Sequence, residues 1–306
     1  MVTRGGTVKA DLAGGMADAD AGVTCTPATR FQLCSVSKQF AAVAVMLLVE
    51  SGRLGLHEPV ARWLPEGPPQ WGQVTLHQLL SHTAGVPHWM EAPGLDPSEP
   101  AEIGERLGAV LAAPLRGDPG WHYSSPAFLL VGLIVERASG QPYSEFVTER
   151  ILSPLKLTRT SMGPAPDGAA RGYEDGEPVP SWDLTAMPGT GDLWSTTGDL
   201  TRFITALHSG ELLSAGSLRA MVTARAALDD DDAGEPKMTT TGYGYGTYTG
   251  TFAGHQALYH TGDNPGYLSF ACWIPDLEAS VVVLLNDASA GVTGLVRQLL
   301  PAALEP

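Results

Sequence analysis

Apolar residues run almost unbroken through Ser35-Val-Ser-Lys-Gln-Phe-Ala-Ala-Val-Ala-Val-Met-Leu-Leu-Val-Glu-Ser-Gly52. The segment opens on hydroxyl residues, continues in good helix formers and stops at a glycine, which predicts a helix. Its apolar positions cover most of the circumference, so this helix belongs in the middle of the molecule. Before it, residues 5–33 carry glycine pairs and short apolar pieces that predict one or two short strands with turns. From about 55 to 185 the pattern is helical pieces broken by Pro/Gly loops, at 76–80, 100–111, 126–138 and 143–151, with no convincing alternating strand. Two further helices are predicted at 197–207 and 214–221. The run Asp229-Asp-Asp-Asp-Ala-Gly-Glu-Pro that follows reads as a solvated, mobile loop rather than a metal site.

The last quarter changes period. Gly242-Tyr-Gly-Tyr-Gly-Thr-Tyr-Thr-Gly, Ala257-Leu-Tyr-His-Thr, Tyr267-Leu-Ser-Phe-Ala-Cys-Trp-Ile and Ala279-Ser-Val-Val-Val-Leu-Leu-Asn are four strand candidates joined by short polar turns, as in an antiparallel meander. A helix over 292–304 closes the chain. Sheet pieces at both ends and helices between them predict an α/β (α+β) fold. Residues 1–58 and 186–306 form a discontinuous sheet domain in this reading, and 59–185 a helical domain, with the active site between the two. No internal repeat is present in the sequence.

Composition narrows the function. The 306 residues are 43% hydrophobic, enough for a sizeable core without a disulfide or metal staple. Eighteen basic against 33 acidic residues give a formal net charge of −15, which disfavours nucleic acid, anionic membrane surfaces and anionic substrates. The three cysteines, Cys25, Cys34 and Cys272, are too scattered for a disulfide framework or a C-x-x-C site and suit a reducing compartment. The longest apolar stretch, residues 40–49, is too short to span a bilayer. The first residues lack the apolar core of a secretory signal, so a cytoplasmic location is expected, with a processed start left open.

Ser35-Val36-Ser37-Lys38 carries the candidate chemistry. Serine and lysine at i and i+3 share one helix face, and a lysine desolvated by a buried helix is a base able to take the serine proton. A helix starting there also aims backbone N–H groups at an oxyanion. A hydroxyl ahead of an apolar run equally suits a helix cap, so the serine alone has two readings. Ser153-Pro154-Leu155-Lys156 repeats the spacing, but at a helix end with proline after the serine and no apolar run behind it, which marks a structural decoy. Three other segments join Ser35. Tyr123-Ser124-Ser125 lies just before a helix, His260-Thr261-Gly262 ends a strand, and Leu79-Leu-Ser-His-Thr-Ala-Gly85 forms a polar turn. Tyr243 and Tyr245 look like ordinary strand residues.

In this order and at these separations the segments resemble the serine β-lactamase and penicillin-binding-protein superfamily. The nearest branch is that of class C β-lactamases, family VIII carboxylesterases and D-aminopeptidases. Pro154-Leu-Lys-Leu, Gly191-Asp-Leu-Trp-Ser-Thr-Thr-Gly-Asp-Leu and the final Val-Val-Val-Leu-Leu-Asn extend the likeness from about residue 31 to 286. It implies an antiparallel sheet flanked by helices with an inserted helical domain. Ser35 would be the acylated nucleophile. Lys38 would accept its proton or keep Tyr123 poised, and Tyr123 would pass the proton to the leaving group. The backbone N–H groups of Ser35 and Asp263 would form the oxyanion hole, while Ser125, His260, Thr261 and Gly262 would contact substrate.

His82 is read as structural, and a zinc site with His77 and His88 as the weaker reading; no metal and no cofactor are expected. Two departures bear on specificity. Ser125 stands where the family often has an amide, which weakens the grip on acylamino side chains, and His260 stands for a lysine that would pair with a substrate carboxylate. The expected function is a serine hydrolase acting on a small-molecule ester or amide, with weak or no β-lactamase activity. The alternatives are an acyltransferase passing the acyl group to an amine or alcohol, a non-catalytic binding or sensor module, and a true β-lactamase. The short N-terminal part leaves a sheet edge open, so the expected state is a monomer or a homodimer. Cys34 reads as a small buried residue rather than a reactive thiol. Trp89, Trp121, Trp194 and Tyr267 are candidates for an acyl pocket or for plain packing.

Overall fold

The computed structural model describes residues 1–91, 96–118, 120–232 and 237–305. Five short strands precede the nucleophile segment: β1 (Val2–Arg4), β2 (Thr7–Ala10), β3 (Met16–Asp18), β4 (Val23–Thr24) and β5 (Phe31–Gln32). The apolar run becomes a 3-10 turn, Cys34–Val36, followed directly by α1 (Ser37–Glu50). Helices α2 (Leu76–Leu80), α3 (Ile103–Ala112), α4 (Ser125–Ser139) and α5 (Tyr143–Val147) come next, the last continuing as one π turn over Thr148–Leu152. Their starts are written locally. Thr75 and Gln78 form a reciprocal capping box on α2, and the Ser124 hydroxyl accepts from the Ala127 N–H at the start of α4.

Four short strands, β6 (Ser161–Met162), β7 (Gly172–Glu174), β8 (Glu177–Val179) and β9 (Leu193–Ser195), lie where the pattern gave no strand or only a loop. Each is two or three residues long and owes its form to a distant partner: β9 sits between β5 and β6, and β7 pairs with β8. Helices α6 (Thr197–His208) and α7 (Ala215–Val222) lead into the meander of β10 (Ala226–Asp232), β11 (Met238–Tyr243), β12 (Tyr248–Phe252), β13 (His255–Asn264), β14 (Tyr267–Ile274) and β15 (Ala279–Leu285), and α8 (Val292–Leu304) ends the chain.

The eight-stranded sheet runs in the order β10-β11-β12-β13-β14-β15-β1-β2 and is antiparallel throughout, so the two ends of the chain meet at β1 and β15 (Val2 opposite Val281). The apolar runs of β14 and β15 reflect cover on both faces. Phe270, Cys272, Ile274, Val281 and Val283 pack with Val296, Leu300 and Ala303 of α8. Ala271, Trp273, Val282 and Leu284 join the core built on α1, α4 and α6. That core is contiguous from Ala17 to Leu284 and takes in the helices of residues 59–185. We keep as a proposal the division at 58/59 and 185/186 into a discontinuous sheet domain and a helical domain.

Two expectations are corrected. The acidic run is strand rather than loop as far as Asp232, and its remainder lies outside the described residues. Paired with β11 from Ala226 opposite Tyr243 to Asp232 opposite Met238, it forms an edge strand, with Asp229 exposed. Charge on an edge keeps the strand soluble and discourages pairing with another chain. The glycine-tyrosine segment is two strands, β11 and β12, because residues 244–247 turn back over α1. Gly246 has φ +66°, and a Cβ there would stand 2.9 Å from the Lys38 carbonyl oxygen and 3.1 Å from Ala42 Cβ. Only glycine allows the turn to rest on the backbone of α1.

Candidate active site

Strand β5 ends beside β9, with the Leu33 N–H donating to the Leu193 carbonyl at 2.8 Å. The chain then bends sharply at Cys34, a non-glycine residue at φ +50°, and Ser35 sits in the 3-10 turn one step later. Backbone strain of this kind persists only where its surroundings over-determine it. Here Cys34 is fully buried with Trp194 and Tyr267, and the Ser269 hydroxyl donates to the Leu33 carbonyl at 2.7 Å. The capping reading of Ser35 fails, since no side chain caps either the 3-10 turn or α1.

The Ser35 hydroxyl meets Lys38 instead, with an Nζ–Oγ separation of 2.9 Å. Lys38 is wholly buried, and Nζ has two further partners, the Thr190 carbonyl at 2.7 Å and the Ser125 hydroxyl at 3.1 Å. Burial pulls its pKa down to about 7, opposed by the negative charge of Asp192. A neutral amine can donate to Thr190 and Ser125 while its lone pair accepts from the serine hydroxyl, so the three-way geometry suits a base as well as it suits a cation.

Tyr123 brings its hydroxyl to both Ser35 and Ser125, and the Lys38 Nζ stands 5.1 Å from its ring centre. Burial pushes the phenol far up, so it keeps its proton at neutral pH. The ring lies against His82, with centroids 4.4 Å apart. The Nδ1 of His82 accepts from the Ser124 N–H at 3.2 Å, which puts the ring proton on Nε2. His82 is thus a buried neutral support for Tyr123.

Strand β13 forms the opposite wall. Gly262 is what lets it approach: a Cβ there would lie 2.7 Å from both Cys34 Cβ and the Leu33 carbonyl oxygen. Thr261, Gly262, Asp263 and Asn264 share with Ser35, Tyr123 and Ser125 the lining of a cavity of about 320 Å³. This is the lower end of the range for ligand pockets.

The structure therefore brings Ser35, Lys38, Tyr123, Ser125, Thr261, Gly262 and Asp263 together, but not His260 as a substrate contact. The His260 ring is 1% exposed and off the cavity wall. Nδ1 donates to the Thr261 carbonyl at 2.6 Å and Nε2 accepts from the Tyr243 hydroxyl at 3.0 Å. Burial, aided by the charge of Lys38, holds its pKa at about 3, so it stays neutral. Ser125 also differs from expectation. It lies on the wall, but its hydroxyl is tied to Lys38 and Tyr123 and belongs to the proton network.

Sequence reasoning missed Thr190, Asp192 and Tyr243. The Asp192 carboxylate is 3% exposed, accepts from the Gly189 N–H at 3.1 Å and has its pKa raised to about 7 by burial. The Gly191-Asp-Leu-Trp signature passes through this turn, yet nothing in it marks the carboxyl as lying near Lys38. Of the aromatic candidates, Trp89 lines the cavity together with the unforeseen Trp182 and Tyr248. Trp194 and Tyr267 are packing residues whose polar ends donate to the carbonyls of Gly163 and Ala170.

Cys34 is inert: burial raises its thiol well above the ordinary range. His77 bonds Tyr245 at 2.7 Å, and among the described residues no three His, Cys, Asp or Glu side chains converge as a metal ion would require. No described helix is long and apolar enough to cross a membrane.

Comparison with known proteins agrees with this fold. The family model described as Beta-lactamase matches residues 1–302. Esterase EstB of Burkholderia gladioli is 36% identical over 200 residues, covering 59% of this chain and 50% of the esterase. Protein flp of Staphylococcus aureus is 26% identical over 313 residues, covering 98% of this chain and 61% of flp. The chain thus spans between half and about six-tenths of the length of these relatives. Among solved structures, D-amino acid amidase from Ochrobactrum anthropi SV3, in complex with L-phenylalanine amide, superposes with a TM-score of 0.83 at 25% identity. The match covers 98% of this chain and 92% of the amidase. A penicillin-binding protein from Bacillus halodurans has the same score and identity, over 99% and 95% of the two chains.

Proposed function

This chain belongs to the beta-lactamase family, and we propose that it is a serine acyl hydrolase opening small esters or amides through an acyl-enzyme on Ser35. One observation carries the reading: a wholly buried lysine, its pKa brought down to about 7, lies 2.9 Å from the hydroxyl of a serine on the wall of a cavity. In the acylation step the Ser35 oxygen bonds to the substrate carbonyl carbon as its proton passes to the Lys38 lone pair. The Tyr123 phenol, hydrogen-bonded to the same serine, then relays a proton to the departing alcohol or amine. The backbone N–H groups of Ser35 and Asp263 stabilise the oxyanion from opposite sides of the cavity. Water attacks the acyl carbon in the second half, and an added amine or alcohol that enters the cavity would receive the acyl group instead. With His260 neutral and buried, no family-type cation faces a substrate carboxylate, so penicillins are poor substrates in this reading.

Intact-mass analysis after treatment with a fluorophosphonate tests the nucleophile without a guessed substrate. A single adduct on the wild-type protein, absent from Ser35→Ala and formed about 10² times more slowly by Lys38→Ala, is the expected result. Well-folded wild-type protein that takes no label would overturn the proposal.

A further inference from the structure

We propose that Asp263 makes this site selective for acyl substrates that carry a cation close to the scissile carbonyl, a deepening of the proposed function that rests on Ser35 being the acylated residue. Side chains along β13 alternate. Gly262 and Asn264 are buried, the latter donating to the Gln32 side chain at 2.9 Å, whereas Thr261 and Asp263 are exposed on the other face. Asp263 is thus an exposed carboxylate on the wall of the cavity that holds Ser35, and among the described residues its side chain has neither a hydrogen bond nor an ion pair.

Among the described residues no lysine or arginine lines that cavity, and burial together with the charge of Lys38 keeps His88 on its wall neutral at neutral pH. Besides burial, the negative charge of Glu174 raises the pKa of Asp263. Glu174 is held there because β7 presses on the β13–β14 turn so closely that a Cβ on Gly266 would stand 2.6 Å from Gly172 Cα.

Two consequences follow. First, the wall carries the Asp263 carboxylate together with the aromatic residues Trp89, Trp182, Tyr123 and Tyr248, a combination that attracts an ammonium group and repels a carboxylate. Second, the Asp263 carboxylate hangs from the residue whose N–H serves the oxyanion, so for a neutral substrate its charge opposes the negative charge developing on the carbonyl oxygen. A substrate cation between the two cancels that penalty where it matters, in the transition state.

The test uses an isosteric pair, the 4-nitrophenyl esters of 4-trimethylammoniobutanoic acid and of 5,5-dimethylhexanoic acid, each rate divided by its hydroxide-catalysed rate. Wild-type protein should favour the cationic ester by about fivefold in kcat/KM, the upper end for one exposed charge pair. In Asp263→Asn the preference should vanish through a higher KM for the cationic ester and a faster reaction of the neutral one. Glu174→Gln should lower it about twofold. In the wild type, raising salt from roughly 0.05 to 0.5 M should erode it by screening, so the result does not depend on the Asp263 variant folding. Turnover of both esters with no preference, or with one indifferent to Asp263, Glu174 and salt, overturns the inference while leaving the acyl-enzyme intact. Failure of Ser35 to label with fluorophosphonate overturns the reading beneath it.

Discussion

Gly262→Ala probes the narrowest joint of the site. The added Cβ would stand 2.3 Å from the Ser269 hydroxyl and 2.7 Å from both Cys34 Cβ and the Leu33 carbonyl oxygen. Ser269 can rotate aside, although it then loses its hydrogen bond to Leu33. The other two cannot yield, since the Leu33 carbonyl is backbone and Cys34 is enclosed by Trp194 and Tyr267. Carbon contacts become comfortable near 3.5 Å, so β13 must part from the Ser35 turn by roughly 0.8 Å. That displacement falls on the separation between the Ser35 and Asp263 N–H groups, and a misplacement of about 1 Å in a reacting assembly costs on the order of 10²-fold in rate. Overpacking adds a stability loss of about 1–3 kcal/mol, or several degrees in Tm. Chromogenic ester hydrolysis and a thermal melt measure both quantities. A variant within about threefold of wild-type kcat/KM would refute the argument that Gly262 sets the spacing across the cavity.

Asp192→Asn should move the acid limb of the kcat/KM–pH profile to lower pH by about one unit. The carboxylate's charge raises the pKa of Lys38, and without it the amine stays neutral further into acid. An unmoved limb would show that Asp192 does not act on Lys38. Acid should also destabilise the fold through His82 and His260, which are buried and held neutral with pKa values below the ordinary 6.5. The unfolded chain takes up these protons first. Their contribution is therefore complete above about pH 6.5 and lost as pH falls toward the folded values, at about 1.4 kcal/mol per histidine per pH unit. Urea unfolding at pH 7, 6 and 5 should give a shallower pH dependence for His260→Gln than for wild type; equal slopes would contradict the buried neutral assignment.

Legibility in the sequence followed how local each cause is. Helices α1, α2, α4, α6 and α8 could be read because an apolar run or stripe and, for several, a capping hydroxyl lie within one segment, as at Thr75 and Ser124. Strands β6 to β9 could not, because two or three residues carry no period and Leu193–Ser195 is a strand only through pairing with Phe31 and Ser161. The aspartates of β10 run against strand propensity, and the ladder with β11 overrides it. In the site, the Ser35–Lys38 spacing is a property of four consecutive residues. Tyr123 and β13 were placed by resemblance to a family pattern. The state of His260 depends on Tyr243 and on burial, both supplied by tertiary structure, so a motif that read as a substrate contact is a packed neutral ring.

Three unfavourable local features of this chain meet at the candidate site. A non-glycine residue at φ +50°, a lysine without access to water and a glycine that admits no Cβ occur at Cys34, Lys38 and Gly262, all within the junction of β5, β13 and α1. Each works against folding when taken alone, and the continuous core around α1 offsets them together. The form of that offset matters for chemistry. Burial of Lys38 lowers its pKa directly, while Asp192, buried in the next turn of chain past its Thr190 ligand, limits the fall and leaves the amine near 7. A base poised there is half unprotonated at neutral pH yet still strong enough to take a serine proton, a balance that neither the buried amine nor the carboxylate would reach without the other.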